Sequence, residues 1–286
     1  MKRESAFAYF FVLPALALFI VFRLIPLGAG SIFSFSDWNG IEPPRWNGLD
    51  NYIELLGDPV FQATMLNTLK VLITLPVWVG LPLLLAIFIY LEVPGARVYR
   101  AAYFFPIVLS SIIIGTMFSI ILRYDGTLNQ FTGLVGIPGI DWLGDGRYAL
   151  LAVILVAIWA HFGMSVLIFL SGLTTIPPEI IEAARIDGAN LGQIIGRVII
   201  PMLRPTIELV VVMTTITILT SMFGLIYVMT GGGPGTATYM PEFVIWLMQG
   251  QFSRLGYASA MSVALFVVVA VVGIIQIRLM RSQWSR

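Results

Sequence analysis

The sequence predicts an all-α integral membrane protein with about six transmembrane helices and both termini on the cytoplasmic side. Three observations carry that expectation. Hydrophobic residues make up 58% of the 286, and mean hydropathy is +0.94. Charged residues make up only 11%, against about 25% in an average soluble domain. Six stretches are long enough to cross a bilayer, since a spanning helix needs about 20 mostly apolar residues rising about 1.5 Å each.

The first stretch, Ala6–Gly28, follows a basic start at Lys2 and Arg3, as a signal peptide would. It is long for a cleaved apolar region and is interrupted only by Arg23, so it is expected to stay in the membrane. The second and third, Leu69–Leu91 and Ala101–Leu122, contain Pro76, Pro82 and Pro106. Each proline removes a backbone donor, and the freed carbonyl needs a neighbouring helix, a hydroxyl or water. Kinked helices around a cavity and ordinary bundle packing both fit. The fourth, Ala149–Leu173, holds the chain's one histidine, His161. The fifth and sixth are Thr206–Met229 and Tyr257–Ile277.

Basic residues set the orientation. With the N-terminus inside, ten of the 16 Lys and Arg fall on the cytoplasmic side, among them Arg97, Arg100, Arg185, Arg197, Arg204 and Arg286, and six fall outside. The outer segment Ser34–Asn67 carries Trp38 and Trp46, read as interfacial anchors with sugar stacking as the alternative. The glycine-rich "MTGGGPGTATYM" after the fifth span reads as a flexible outer loop, because it lacks a basic residue to help cradle phosphate.

Composition also excludes chemistry. There is no cysteine, so no disulfide, thiolate metal site or cysteine nucleophile. One histidine makes a histidine metal centre or a Ser/His/Asp triad a poor fit. The two lysines, Lys2 and Lys70, sit in no phosphate-binding loop, so no cofactor or nucleotide is expected on this chain. A net charge of +1 argues against nucleic acid as a partner. Apart from His161 the spans lack the acid and histidine relay of ion-coupled carriers, so driving energy is expected from elsewhere.

Between the fourth and fifth spans lies a charged cytoplasmic segment, 174–205, containing "EIIEAARIDGAN". Thr175 is positioned to cap a helix starting at Pro177-Pro178. Glu179 and Glu182 come early, where the helix dipole favours acids. Gly188 can stop the helix in a left-handed conformation. Asn190 and Gln193 have the spacing of a capping pair for a second short helix, with Pro201 marking its expected end. Ile180, Ile181 and Ala184 form one face; Glu179, Glu182, Ala183 and Ile186 form its neighbour. A solvated loop and a docking element both fit these residues.

"EAARIDGA", followed after about a dozen residues by Ile200-Pro201, resembles the EAA loop of binding-protein-dependent ABC import permeases. "NYIELLGDPVFQATMLNTL", "YFFPIVLSSIIIGTMFSIILRYDGTLN", "MTGGGP" and "GYASAMSVALF" are similar to the carbohydrate branch of that family, the maltose- and glycerol-phosphate-type permeases. The likeness covers nearly the whole chain. It implies a single permease domain over 1–286 in a prokaryotic inner membrane. It implies a second, homologous permease chain, two ATPase subunits that carry the ATP and Mg, and an extracytoplasmic solute-binding protein. It implies ATPase coupling through Glu182, Ala183, Ala184, Asp187, Gly188 and Pro201, with Glu182 meeting an arginine of the ATPase. The chain lacks the extra N-terminal spans and large periplasmic insertion of the largest maltose-type relatives.

By the same resemblance the spans flanking the EAA loop line the pathway. Candidate solute contacts are Trp159, His161 and Ser165 on the fourth span, and Thr214, Thr217, Thr220 and Ser221 on the fifth. Aromatic rings and hydroxyls suit a sugar, although membrane hydroxyls also bond across helices as packing. Basic residues are absent there, which leans away from a phosphorylated solute. A stand-alone secondary transporter is the alternative; an intramembrane enzyme lacks any paired acids to work with.

Overall fold

The computed structural model describes residues 2–91 and 105–281. Ala101–Phe104 of the third expected span lie outside the described residues, as do Arg97, Arg100 and Arg286 of the charge count. The described chain is helical except for one strand pair, β1 (Ser36–Asp37) and β2 (Arg45–Trp46). It divides into two compact units.

One unit joins the N-terminal residues through Gln62 to Val244–Val271. It starts with α1 (Lys2–Phe19), a π-helical turn at Ile20–Leu24, and α2 (Ile25–Phe33). These run on as one apolar helix past the expected end at Gly28, and Phe11–Phe33 forms the spanning stretch. The pair β1–β2 follows, antiparallel with Ser36 opposite Trp46, then α3 (Asp50–Gly57). Asn51 makes this cap rigid. Its amide donates to the carbonyls of Ser34 and Ser36 at 2.9 and 3.0 Å, satisfying backbone that the short strands leave unpaired. The Gly256 N–H donates to the Trp38 carbonyl at 3.0 Å, and a Cβ at Gly256 would collide with the Ser36 carbonyl. Trp38 packs on Phe33 and Trp46 stacks on Phe35.

The other unit spans Ala63–Phe243 and the chain from Val272 onward. The second expected span starts earlier than the hydropathy indicated, as α4 (Pro59–Ile73) and α5 (Leu75–Tyr90). Thr74 separates them because Pro76 enters α5 in its first turn without an N–H. The Thr74 hydroxyl donates to the Val71 carbonyl at 2.6 Å, which keeps the break polar-satisfied. The third expected span is not one continuous helix. It breaks at Val108–Ser110, and α6 (Ser111–Ile121) begins on a side-chain cap from Ser110. After α7 (Thr127–Leu134), the fourth span is α8 (Ala149–Leu173), with the expected bounds. The charged segment 174–205 supplies α9 (Pro178–Ile186), α10 (Leu191–Ile194), a π turn at Ile195–Ile199 and α11 (Ile200–Met202).

The fifth expected span is broken into α12 (Arg204–Thr220) and α13 (Phe223–Met229). After α14 (Pro241–Gly250) the last helix, α15 (Leu255–Arg281), exceeds its expected bounds at both ends. Among the described residues four helical stretches are long and apolar enough to cross a membrane: Phe11–Phe33, Pro59–Tyr90, Ala149–Leu173 and Leu255–Met280. The bent pair Leu191–Met202 and Arg204–Thr220, which turns through 71°, makes a fifth when the two are taken as one broken span.

The core of this unit lies where α5, α8 and α12 meet. Ile87, Val166, Phe169, Leu173, Leu203 and Val210 are buried there. At Gly172 a Cβ would strike the Thr206 side chain, so this glycine sets how closely α8 and α12 approach. Gln276 of α15 donates to the Thr215 hydroxyl of α12 at 2.7 Å, a polar contact inside an apolar bundle.

Candidate functional site: an exposed acidic helix and a polar cavity between spans

The short helix α9 is fixed at both ends by its own sequence. Pro178 occupies its first turn and Pro177 the capping position. Thr175 does not cap it, contrary to expectation. Its hydroxyl donates back to the Gly172 carbonyl at 2.7 Å, closing the end of α8, while Pro177, two residues on, takes the capping position. At the other end Gly188 is left-handed, with φ +80°. The Ala189 N–H donates to the Ala184 carbonyl at 3.0 Å and the Gly188 N–H to that of Arg185 at 3.1 Å. These are the two bonds of a Schellman ending. Asn190 and Gln193 then form the expected capping box, with bonds of 2.8 and 2.9 Å.

Pro201 marks the end of the second helical run to within one residue, at Met202, and the turn at Ile195–Ile199 widens to π geometry ahead of the proline. A widened turn relieves the clash a proline ring makes with the carbonyl four residues back. The chain then turns at Leu203, which is 1% exposed, into α12.

The two faces of α9 are sorted as the spacing requires except at Ile180, which is 40% exposed rather than on the buried side. Ile181 is buried with Leu173, Ile176, Ile194 and Ile199, and Ala184 packs against them. Burying one such isoleucine stabilises by roughly 1.5–3 kcal/mol. Glu179, Glu182, Ala183 and Ile186 are exposed, Ile186 to 86%. Among the described residues Glu182 forms no ion pair. Glu182 and Arg185 rim an open depression with Tyr90, Leu91, Pro178 and Ile181.

A second feature lies between α5, α8 and α12. His161, Ser165, Thr214 and Thr217 line one cavity of about 70 Å³, together with Trp78, Met164 and Met213. The structure therefore gathers four of the seven candidate pathway residues. Trp78 packs against the His161 ring at 5.9 Å between centroids, and its indole N–H donates to the Thr74 hydroxyl at 3.0 Å. The Nε2 of His161 is buried and has no hydrogen-bond partner among the described residues.

The other three candidates fall elsewhere. Trp159 meets Phe118 edge-on at 5.3 Å and lines a separate apolar cavity of about 280 Å³ with Trp142 and Leu155. Thr220 donates to the Ile216 carbonyl at 2.8 Å, inside its own helix. Ser221 is exposed at the break in the fifth span.

Two residues at these features escaped sequence reasoning. Trp78 comes from the second span, which was read only for its prolines; the Thr74–Trp78 spacing of four is the signal that pairs them. Glu242 looked like one more outer acid. Its Oε2 accepts from the Met222 and Phe223 N–H groups at 3.0 and 3.1 Å, capping α13 from 20 and 19 residues away. Burial pushes its carboxyl up from the ordinary value, and the two amides pull part of the way back.

Apolar helices long enough to span a membrane, an exposed acidic helix between two of them, and a small cavity lined in part by His161 and hydroxyls describe a polytopic membrane protein. The chain belongs to the family of binding-protein-dependent transport system inner membrane components, whose model matches residues 55–282. It is 33% identical over 278 residues to the multiple sugar-binding transport system permease protein MsmF of Streptococcus mutans, covering 94% of this chain and 93% of MsmF. It is 31% identical over 280 residues to the probable ABC transporter permease protein YesP of Bacillus subtilis, covering 96% and 90%. The fold matches a chain of the crystal structure of a bacterial ABC transporter involved in the import of the acidic polysaccharide alginate. That match has a TM-score of 0.87 at 23% identity over 98% of this chain and 96% of the other.

Proposed function

We propose that this chain is a permease subunit of an ATP-driven ABC importer and forms part of the pathway for a sugar or related polar solute. The supporting likenesses are to sugar-transport permeases such as MsmF and to the trehalose/maltose transport system permease protein MalF of Thermococcus litoralis. Its membrane is the inner membrane of a prokaryote. It crosses that membrane about six times with both termini inside, so residues 174–205 face the cytoplasm. Its partners are a second, different permease chain, two ATPase subunits that hold ATP and Mg, and an extracytoplasmic binding protein. A solved relative of the same fold is in complex with its alginate pentasaccharide-bound periplasmic protein. The chain itself binds no cofactor.

One observation carries the coupling role: α9 is anchored by Ile181 yet leaves Glu179, Glu182, Ala183 and Ile186 uncovered. Two prolines start it and Schellman bonds close its C-terminal end, so the short helix is pushed as a unit. Glu182 offers a carboxylate to an arginine fork of the ATPase, and the small Ala183 and Ala184 allow close approach. Asp187 and Gly188 end the helix, and Pro201 sits just before the 71° turn into α12. A push on α9 is thereby delivered to the helix that carries Thr214 and Thr217.

The cavity of about 70 Å³ has room for a few waters and none for a sugar ring. Solute passage therefore requires α12 to move away from α8, which a lever at α9 supplies. His161, Ser165, Thr214 and Thr217 then present hydrogen-bonding groups beside the Trp78 ring, a lining suited to hydroxyls on an apolar sugar face. Trp159, Thr220 and Ser221 join the pathway only in another state of the helices.

The test is a mild-detergent pull-down of the tagged chain from its native membrane, with mass spectrometry of what accompanies it. The expected result is an ATPase and a sister permease with the wild type, and loss of the ATPase with Glu182→Lys while the variant still inserts. Transport by the isolated chain without ATP overturns the proposal.

A further inference from the structure

The cavity between α5, α8 and α12 gathers polar groups that the helices themselves leave unserved. Within a helix a serine or threonine hydroxyl commonly bonds the carbonyl four residues back. Thr116, Thr215, Thr220 and Ser262 do so, at 2.8–2.9 Å. Ser165, Thr214 and Thr217 do not. Among the described residues none of these three hydroxyls has a hydrogen-bond partner, and all three residues line the cavity. The Nε2 of His161 is buried beside them, also without a partner. Leaving a buried polar atom unserved is expensive, the more so between apolar helices.

The size of the space selects the ligand. About 70 Å³ admits roughly two or three waters, each needing two to four polar partners, and nothing as large as a sugar ring. His161 and Ser165 on α8 face that space together with Thr214 and Thr217 on α12, so partners stand on both helices. The Trp78 indole is not one of them, because its N–H is taken by Thr74. The contact changes character along α8. About two turns further on, Gly172 meets Thr206 so closely that a Cβ would strike its hydroxyl, and Phe169, Leu173, Leu203 and Val210 fill the core with apolar side chains. One part of the α8–α12 contact is dry and tight; the other is polar and open.

We infer that the cavity is a bound-water site, whose waters take up His161 Nε2 and the hydroxyls of Ser165, Thr214 and Thr217 and join α8 to α12 there through solvent alone. Under the transporter reading, on which this consequence rests, the wet contact is the seam along which α12 leaves α8. Bonds to water re-form with water as the gap widens, so no polar group is stranded among apolar helices. Direct bonds between the helices would have to be broken outright. The dry contact at Gly172 is then the pivot.

The test is radiolytic labelling of the tagged chain, purified with whatever accompanies it and held in lipid nanodiscs. Hydroxyl radicals formed from a bound water oxidise the side chains next to it, and mass spectrometry reads the rate at each residue. Trp78 and Trp159 are the reporters. Trp78 is 3% exposed and borders the polar cavity; Trp159 is half-buried and borders the apolar one. Exposure alone puts Trp159 first. The expected result is the reverse, with Trp78 labelled severalfold faster. Thr214→Val combined with Thr217→Val keeps the shape, removes two hydroxyls and should bring Trp78 down to the rate of Trp159 or below. Thr217→Ser keeps its hydroxyl and should retain the fast rate, which separates a dried cavity from a lost fold. Trp78 slower than Trp159 in the wild type, or a fast rate that the double valine variant leaves untouched, overturns the inference. Trapping nucleotide on the assembly should change the Trp78 rate severalfold as the seam parts. An unchanged rate with an ATPase present sinks the seam, and recovery of no ATPase sinks the transporter reading. The water site is judged by the two tryptophans in either case.

Discussion

Glu242 offers the sharpest test of how the broken fifth span is held. The helix α13 starts at Phe223 with no cap from its own flanking residues, and the Glu242 carboxylate takes up the Met222 and Phe223 amides. Glu242→Ala removes that acceptor from both. Leaving a buried donor unsatisfied costs about 1–3 kcal/mol. Water can reach part of a helix end, so the low end of that range applies and the pair costs about 2 kcal/mol. Glu242→Gln keeps a carbonyl in place and gives up only charge assistance, about 1 kcal/mol or less. At roughly 2–4 °C per kcal/mol for a chain of this size, alanine should lower the apparent melting temperature by about 4–8 °C and glutamine by clearly less. The assay is size-exclusion recovery of detergent-purified protein after a heating series. An alanine variant as stable as the glutamine variant refutes the capping argument.

The same residue fixes a pH dependence. Burial raises its carboxyl above the ordinary 4.5. A carboxyl raised by folding favours proton uptake in the folded state. Its contribution is fully present below the ordinary value and is lost as pH rises through the folded-state value. Wild type should therefore lose stability relative to Glu242→Gln as pH climbs from the carboxyl range to neutral, and the opposite trend would contradict the burial.

Three glycines give further expectations. Gly172→Val pushes a side chain into Thr206 and should cost about 1–3 kcal/mol by overpacking. Gly80→Ala, with nothing within 4 Å of its Cβ, should leave the melting temperature unchanged or raise it slightly. Gly188→Ala places a side chain at φ +80° and should cost about 1–2 kcal/mol. It should also reduce ATPase recovery in the pull-down, because the Schellman ending sets the angle at which α9 leaves the next helix.

Local chemistry made much of the charged segment 174–205 legible in advance. The capping box at Asn190, the left-handed Gly188 and the two faces of α9 each depend on residues within one or two turns, so short spacings suffice to read them. Pro201 placed the helix end to within one residue, but the π turn ahead of it was not legible, because whether a turn widens depends on what the helix packs against. Thr175 was misplaced because two helix ends compete for one hydroxyl.

The membrane class, the fourth span to its residue bounds and, on α9, the burial of Ile181 against the exposure of Glu182 were legible in the residues alone. Those follow from hydropathy and helical period, which act over short stretches of chain. Only the tertiary structure decided that Trp78 joins His161 while Trp159 does not, that Glu242 caps α13, and that Gly172 sets the approach of α8 to α12. These contacts join residues between 19 and 83 positions apart. They depend on where helices are broken and bent, at Thr74, Ser221 and Leu203, and hydropathy carries no record of a break that a hydroxyl, a distant carboxylate or a π turn satisfies.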